Sequence, residues 1–311
     1  MVMRTLSLLS ILVVLGTACD DFRTVVELDV PDIPDQLVVN SFYTPDSNWT
    51  VQLTESRYVL DDDLLPFVDG ATVRLYQGTN LLAETAVGDS GYYQLPFLPE
   101  SSVDYTLEVS HPAFPAATAE TALNPAVPLT SLSLDLPDNL MGVESMLSGE
   151  LTFTDPAGVT NRYQLILYST IEYPYALDPM GDTLWERFTY PNYFQLGAND
   201  SEELIDVNPD VFWFMPGQVF SDEIFEGQTV TLPIEINNDA AHLPPGAKWT
   251  LLAEFQTLSE DYYQYAFSYG VQRRAQGNPF AQPAQVFTNV AGGLGIVAGY
   301  TRAQITFKVL E

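Results

Sequence analysis

The 311-residue chain holds one cysteine and two histidines. A lone thiol forms no internal disulfide, and three soft donors in all are too few for a zinc or other soft-metal site. Basic residues are scarce as well: 11 Lys and Arg stand against 41 Asp and Glu, a formal charge of −30. Most of such a surface repels a nucleic-acid backbone or an anionic bilayer, which excludes nucleic acid as a partner. Long apolar runs are also missing, apart from one near the N-terminus that is too short to span a bilayer stably. Hydrophobic residues in general are plentiful at 46%, enough for sizeable cores and too many for a disordered or fibrous chain.

Residues 1–18 carry one cation, Arg4, then an apolar run from Leu6 to Leu15 and the small residues Gly16-Thr17-Ala18. That order predicts a secretory signal peptide. Cys19 follows at once, where a lipoprotein signal peptidase would cut and a diacylglycerol would join the sulfur. The position three before it holds Gly16 in place of the more usual Leu. Lipidation of Cys19 is therefore expected, with several acyl chains tethering a water-facing body to the membrane. Asp20 and Asp21 directly behind it resemble the surface-export signal of Bacteroidota lipoproteins, which implies the outer membrane and the cell surface. Residues 19–36 form the spacer; its end, Val30 to Gln36, has two prolines and two acids and favours an extended chain.

Short β-like runs follow at roughly ten-residue spacing. They are Leu37 to Phe42, Thr50 to Thr54, Ala71 to Tyr76, Leu81 to Val87, Tyr92 to Leu95 and Tyr105 to Ser110. Alternation within them, with turn residues such as Asp69-Gly70 and Gly88-Asp89-Ser90-Gly91 between, predicts an antiparallel sandwich over residues 37–124. Gly70-Ala71-Thr72-Val73, Asp89-Ser90-Gly91-Tyr92-Tyr93 and Tyr105-Thr106-Leu107 resemble Ig-like or transthyretin-like modules, which mostly support or present something else. Pro125 to Pro128 reads as a boundary, and residues 129–311 as a larger β-rich domain. One helix stands out in it, over about residues 259–275. Ser259 is the N-cap, Glu260 and Asp261 fill the first turn, Tyr262, Tyr265, Ala266 and Tyr269 make an apolar stripe, and Arg273 and Arg274 close it. The fold class expected is mainly β with one helix near the C-terminus.

The segments Leu258-Ser259-x-Asp261-Tyr262-Tyr263-x-Tyr265, Gly277-Asn278-Pro279-Phe280-x-x-Pro283 and Asn289-Val290-x-Gly292-Gly293-Leu294-Gly295-Ile296 together resemble the C-terminal signature of a Bacteroidota lipoprotein family, domain of unknown function 4249. Leu37-Val38-Val39-Asn40, Phe153-Thr154-Asp155-Pro156 and Phe220-Ser221-Asp222-x-x-Phe225-x-Gly227 agree with it. The resemblance implies an outer-membrane-associated lipoprotein, often encoded beside a TonB-dependent transporter. It transfers no catalytic residue.

Motifs that look like chemistry fail on context. Gly88-Asp89-Ser90-Gly91 spells a serine-protease nucleophile tetrapeptide, but His242 follows it far along the chain, in the wrong order, and a β-turn explains it better. His111 and His242 both sit beside prolines at loop positions. Gly293-Leu294-Gly295 lacks the following helix and acid of a dinucleotide site, since Thr301 to Val309 alternates like a strand. Acid clusters at Asp61 to Asp63, Asp200 to Glu203 and Asp222-Glu223 have no EF-hand spacing and read as solvated loops. No cofactor and no metal are expected.

Residues 171–225 hold 12 aromatics, about twice the density of the whole chain, amid weak strand periodicity. An irregular aromatic insertion of this kind is either a satellite core or a face for a partner or a glycan. Tyr173, Tyr175, Trp185, Tyr190, Tyr193 and Trp213 are its candidate contact residues. Asp182-Thr183-Leu184 resembles an O-glycosylation acceptor of Bacteroidota, which would place the sugar on Thr183. The leading reading is a non-enzymatic surface lipoprotein assisting a TonB-dependent uptake system. A free-standing carbohydrate-binding or adhesion module is the second, and a carboxylate-dependent glycoside hydrolase, which no motif supports, the third.

Overall fold

Short alternating runs rich in Val, Ile, Thr, Tyr and Phe, broken by Gly, Pro and Asp, favour pleated strands over helices, and the computed structural model is mainly β. It describes residues 34–57, 66–141, 146–177, 180–196, 217–276, 280–282 and 284–311. The first strands are β1 (Leu37–Tyr43), β2 (Trp49–Glu55), β3 (Thr72–Gln77), β4 (Asn80–Thr85), β5 (Gly88–Asp89), β6 (Tyr92–Leu95), β7 (Asp104–His111) and β8 (Phe114–Ala122). After the prolines come β9 (Leu129–Leu134), β10 (Leu147–Thr154), β11 (Arg162–Leu177), β12 (Thr183–Pro191), β13 (Phe194–Leu196), β14 (Gln218–Ser221), β15 (Thr229–Ile236) and β16 (Lys248–Leu258). Helix α1 (Glu260–Ala275), β17 (Val290–Ala291) and β18 (Leu294–Leu310) complete the chain. Ser259 caps α1, its hydroxyl accepting from the Tyr262 N–H at 3.2 Å, as the sequence predicts.

A nine-stranded sheet in the order β12-β11-β16-β18-β1-β2-β6-β5, with β14 also on β11, forms the backbone of the unit Asp35–Glu311. Its neighbours run antiparallel except β1 and β18, which pair in parallel from Val38↔Leu294 to Tyr43↔Gly299. One face carries two smaller sheets. The five-stranded sheet β17-β8-β7-β3-β4 encloses a core with Leu37, Trp49, Tyr93, Tyr105 and Val297, and the four-stranded sheet β13-β15-β10-β9 encloses another with Phe153, Tyr163, Leu232, Trp249 and Val309. Pro125 to Pro128 thus separates two cores but not two sheets. The 17-residue β18 explains why: alternation sends Val297 into the first core and Val309 into the second from the same face.

Aromatic rings do much of the packing. Tyr43 stacks on Trp49 at 3.8 Å with Tyr105 edge-on to Trp49 at 5.4 Å, and Phe153, Tyr163 and Phe255 meet at 4.6–5.4 Å. Each such pair contributes on the order of 1 kcal/mol beyond its buried area.

Among the described residues, the opposite, outer face of the large sheet is only half covered. Helix α1 lays Tyr262 and Ala266 over Leu258, Ile296 and Ala298, while Phe42 meets the rings of Tyr262 and Tyr265 at 5.2 and 5.8 Å. Tyr262 and Ala266 are therefore core residues, as the stripe implies. Beyond Thr301 the outer positions of β18 emerge into solvent.

The described part of residues 171–225 departs from the irregular insertion expected. Residues 171–177 extend β11, and β12 returns beside it from Leu177↔Thr183 to Tyr168↔Pro191. Every residue of β12 is exposed, so burial leaves no periodic trace in its sequence even though backbone pairing forms a regular hairpin.

Candidate functional site

The uncovered half of the outer face is a ladder of cross-strand rows contributed by β11, β16 and β18. In register these are Gln164-Gln256-Arg302, Ile166-Glu254-Gln304, Tyr168-Leu252-Thr306 and Thr170-Thr250-Lys308. Directly opposed side chains on adjacent strands lie within contact range, so the rows form one continuous surface. Between it and α1 lies a hollow of about 440 Å³ lined by Tyr168, Glu254, Gln256, Tyr262, Tyr300 and Arg302, together with Ile166 and Leu252.

Glu254 anchors the polar part. Only 6% exposed, its carboxylate accepts from Gln256 Nε2 at 2.7 Å on one oxygen, and from Gln304 Nε2 at 2.6 Å and Arg302 Nη1 at 3.4 Å on the other. Arg302 Nε is held by Asp46 at 2.7 Å. A carboxylate this buried persists because donors replace its lost water. The Gln256 amide is oriented by that contact, since reversing it would set oxygen against oxygen. Its Oε1 is buried with no hydrogen-bond partner among the described residues. The hydroxyls of Tyr168, Tyr262 and Tyr300 likewise have none there. All three phenols are pushed above their ordinary value, chiefly by burial, and the Glu254 charge adds to this at Tyr168 and Tyr300.

Further along the same face, Lys248 and Lys308 border a second hollow of about 520 Å³ with Arg187. These are the only lysines in the chain. Glu172 and Glu311 offset them, at 3.6 Å from Arg187 and 3.5 Å from Lys308.

The aromatic residues expected to share one face are divided. Trp185, 46% exposed, lies on the outer side with Lys248 Nζ 5.3 Å from its ring. Tyr173 stacks on Phe188 at 5.9 Å on the other side, where Tyr190 also lies beside Asp239, its phenol pushed up to about 12 by burial and then by that carboxylate. Strict alternation along β12 causes the split. Tyr175 sits at the bulge between Pro174 and Ala176 and is exposed, Tyr193 is exposed beyond β12, and Thr183 opens β12 in an exposed position. Trp213, Cys19, Asp20 and Asp21 lie outside the described residues.

Other motifs resolve into architecture. Ser90, at φ 51°, donates to Asp89 within a turn, and His111 accepts from the Ala113 N–H at 3.2 Å. His242 ends a one-turn 3-10 helix. Gly295, at φ +107°, brings β18 against the Val39 carbonyl, and the Asn289 amide clasps Val297 through bonds of 2.8 and 3.0 Å. Asp155 and Asp222 are both 2% exposed and bind the backbone of Gly227 and Asn161. Among the described residues no three His, Cys, Asp or Glu side chains gather as a metal site, and no helix is long and apolar enough to cross a membrane. The outer-face residues Glu254, Gln256 and Arg302 were missed by sequence reasoning, because each is an ordinary polar residue on its own strand.

The molecule is thus a mainly β protein with two cores on a shared sheet and an open, tyrosine-lined half face. A family model described as "Domain of unknown function (DUF4249)" matches residues 23–306, and the chain belongs to that family. Comparison with curated proteins found no match. A solved structure described as "Complete structure of manganese lipoxygenase of Gaeumannomyces graminis and partial structure of zonadhesin of Komagataella pastoris" aligns over 88% of this chain and 94% of its own, at 8% identity and a TM-score of 0.21. A likeness that slight carries no argument.

Proposed function

We propose that this protein is a non-enzymatic binding component, tethered through lipid on Cys19 to the outer membrane and facing the cell exterior, that assists a TonB-dependent transporter. The observation that carries the reading is the outer half of the large sheet, which no described residue covers. Sheets in folded proteins bury both faces or make the open one plainly polar; this one holds a buried carboxylate, amides and tyrosines over a hollow of ligand size. In this reading the first core, with its five-stranded sheet, is support, and the β11-β16-β18 face meets barrel or ligand. Cys19, placed behind the apolar run and small residues, supplies the anchor, and Asp20 and Asp21 the export signal.

The test is to tag the C-terminus, extract native outer membranes in mild detergent and identify what co-purifies, with Cys19→Ala as the unanchored control. A TonB-dependent barrel recovered in stoichiometric amount with the wild type is the expected result. Recovery of the protein alone would favour a free-standing carbohydrate-binding or adhesion module, for which exposed Trp185 on the β11-β12 hairpin is the specific motive.

A further inference from the structure

The hollow under α1 presents more hydrogen-bonding capacity than the protein itself uses. Three tyrosines line it whose hydroxyls have no partner among the described residues, while the unpaired amide oxygen of Gln256, a residue only 5% exposed, is sealed beneath them. Hydroxyls left unpaired on the wall of a hollow are met by water or by the hydroxyls of a ligand that displaces it. Ligand charge can be decided from the same residues. A cation meets one lining carboxylate, Glu254, whose charge Arg302 and two side-chain amides already offset. An anion meets one guanidinium, whose Nε and Nη1 are engaged, flanked by Asp46 and Glu254. A purely apolar ligand would strand the hydroxyls. What remains is an uncharged molecule with many hydroxyls and an apolar C–H surface for the tyrosine rings, Ile166 and Leu252.

We propose that this hollow binds a neutral saccharide, with Tyr168, Tyr262 and Tyr300 contacting its hydroxyls while Glu254, Gln256 and Arg302 hold the sheet surface beneath them in place. The inference rests on the reading of the outer sheet face as a binding surface, and it places the sugar beside α1 at a hollow that Trp185 does not line.

The experiment uses the full chain, purified in a sugar-free detergent, with neutral gluco-, manno-, xylo- and galacto-tetrasaccharides and a tetragalacturonate as probes in saturation-transfer NMR. At least one neutral probe should bind, and the double variant Tyr168→Phe/Tyr300→Phe, which keeps both rings, should weaken it about ten-fold or more at unchanged melting temperature. Silence from every neutral probe overturns the proposal. So does preference for the uronate, or binding that survives the double variant and is lost in Trp185→Ala. A transporter that co-purifies while all neutral probes stay silent sinks the saccharide assignment alone; saccharide binding by a protein that co-purifies with nothing keeps it and sinks the transporter reading.

Discussion

The Asp155 carboxylate accepts a hydrogen bond from the Gly227 backbone N–H at 2.7 Å, across 72 residues. Its other oxygen takes the Tyr163 hydroxyl and the Asn161 amide, and Asp222 in return accepts from the Asn161 N–H. The loops after β10 and β14 are therefore latched to each other over the aromatic cluster. Asp155→Ala strands the buried Tyr163 hydroxyl and removes the bonds to the Gly227 N–H and the Asn161 amide, and should cost about 2–4 kcal/mol. Urea unfolding checks this; a loss under about 1 kcal/mol would mean that water replaces the latch.

Gly295 should tolerate no side chain. Its backbone sits at φ +107°, and an added Cβ would run into the Val39 carbonyl oxygen of the parallel partner strand. Gly295→Ala combines strain with a backbone clash, so a loss of at least about 3 kcal/mol, or failure to fold, is expected. Gly78→Ala is the comparison: it shares a positive φ of 57° but meets nothing within 4 Å, and should cost about 1 kcal/mol. Equal effects at the two sites would refute the close-approach argument.

Ser169 is fully buried and accepts from Trp249 Nε1 at 3.0 Å and Asn192 Nδ2 at 2.8 Å while donating to Asp239. Ser169→Ala leaves the indole N–H without its acceptor and should destabilise by about 2 kcal/mol. Thermal unfolding followed by tryptophan fluorescence reads the change, and an unaltered midpoint would show that the network is dispensable.

Burial holds Asp222 above the ordinary aspartate value of 3.8, with Asp155 adding to the effect and the Asn161 N–H and Arg162 opposing it. A raised folded value means that the folded state binds more protons in this window. Its contribution is fully present below the unfolded value and is lost as pH rises through the folded one. Asp222→Asn, which keeps an oxygen for the Asn161 N–H, should therefore weaken the fall in stability as pH rises from about 4 upward. Urea midpoints across that range decide; parallel curves for the two proteins would place the titration elsewhere.

Much of the fold was legible. Runs such as Leu37 to Phe42 and Tyr92 to Leu95 appear as strands within a residue of those bounds, and the cap, acidic first turn and basic last turn of α1 marked its span. Strand β8 was missed because its Ala- and Thr-rich sequence has little hydrophobic contrast, although Ala117, Ala119 and Thr121 alternate inward. Strand β12 was missed because nothing in it is buried.

By itself the sequence determined the local elements, the apolar residues available for cores, the charge that excludes polyanions and the family. These follow from periodicity, capping chemistry and composition, all readable over short windows. Tertiary structure alone decided that β1 pairs with β18 across most of the chain, so that two cores share one sheet. It also decided that Gln256, Glu254 and Arg302 become neighbours. A cross-strand row is set by register between distant segments, and no single strand carries the information that its polar positions will face a hollow with three tyrosines.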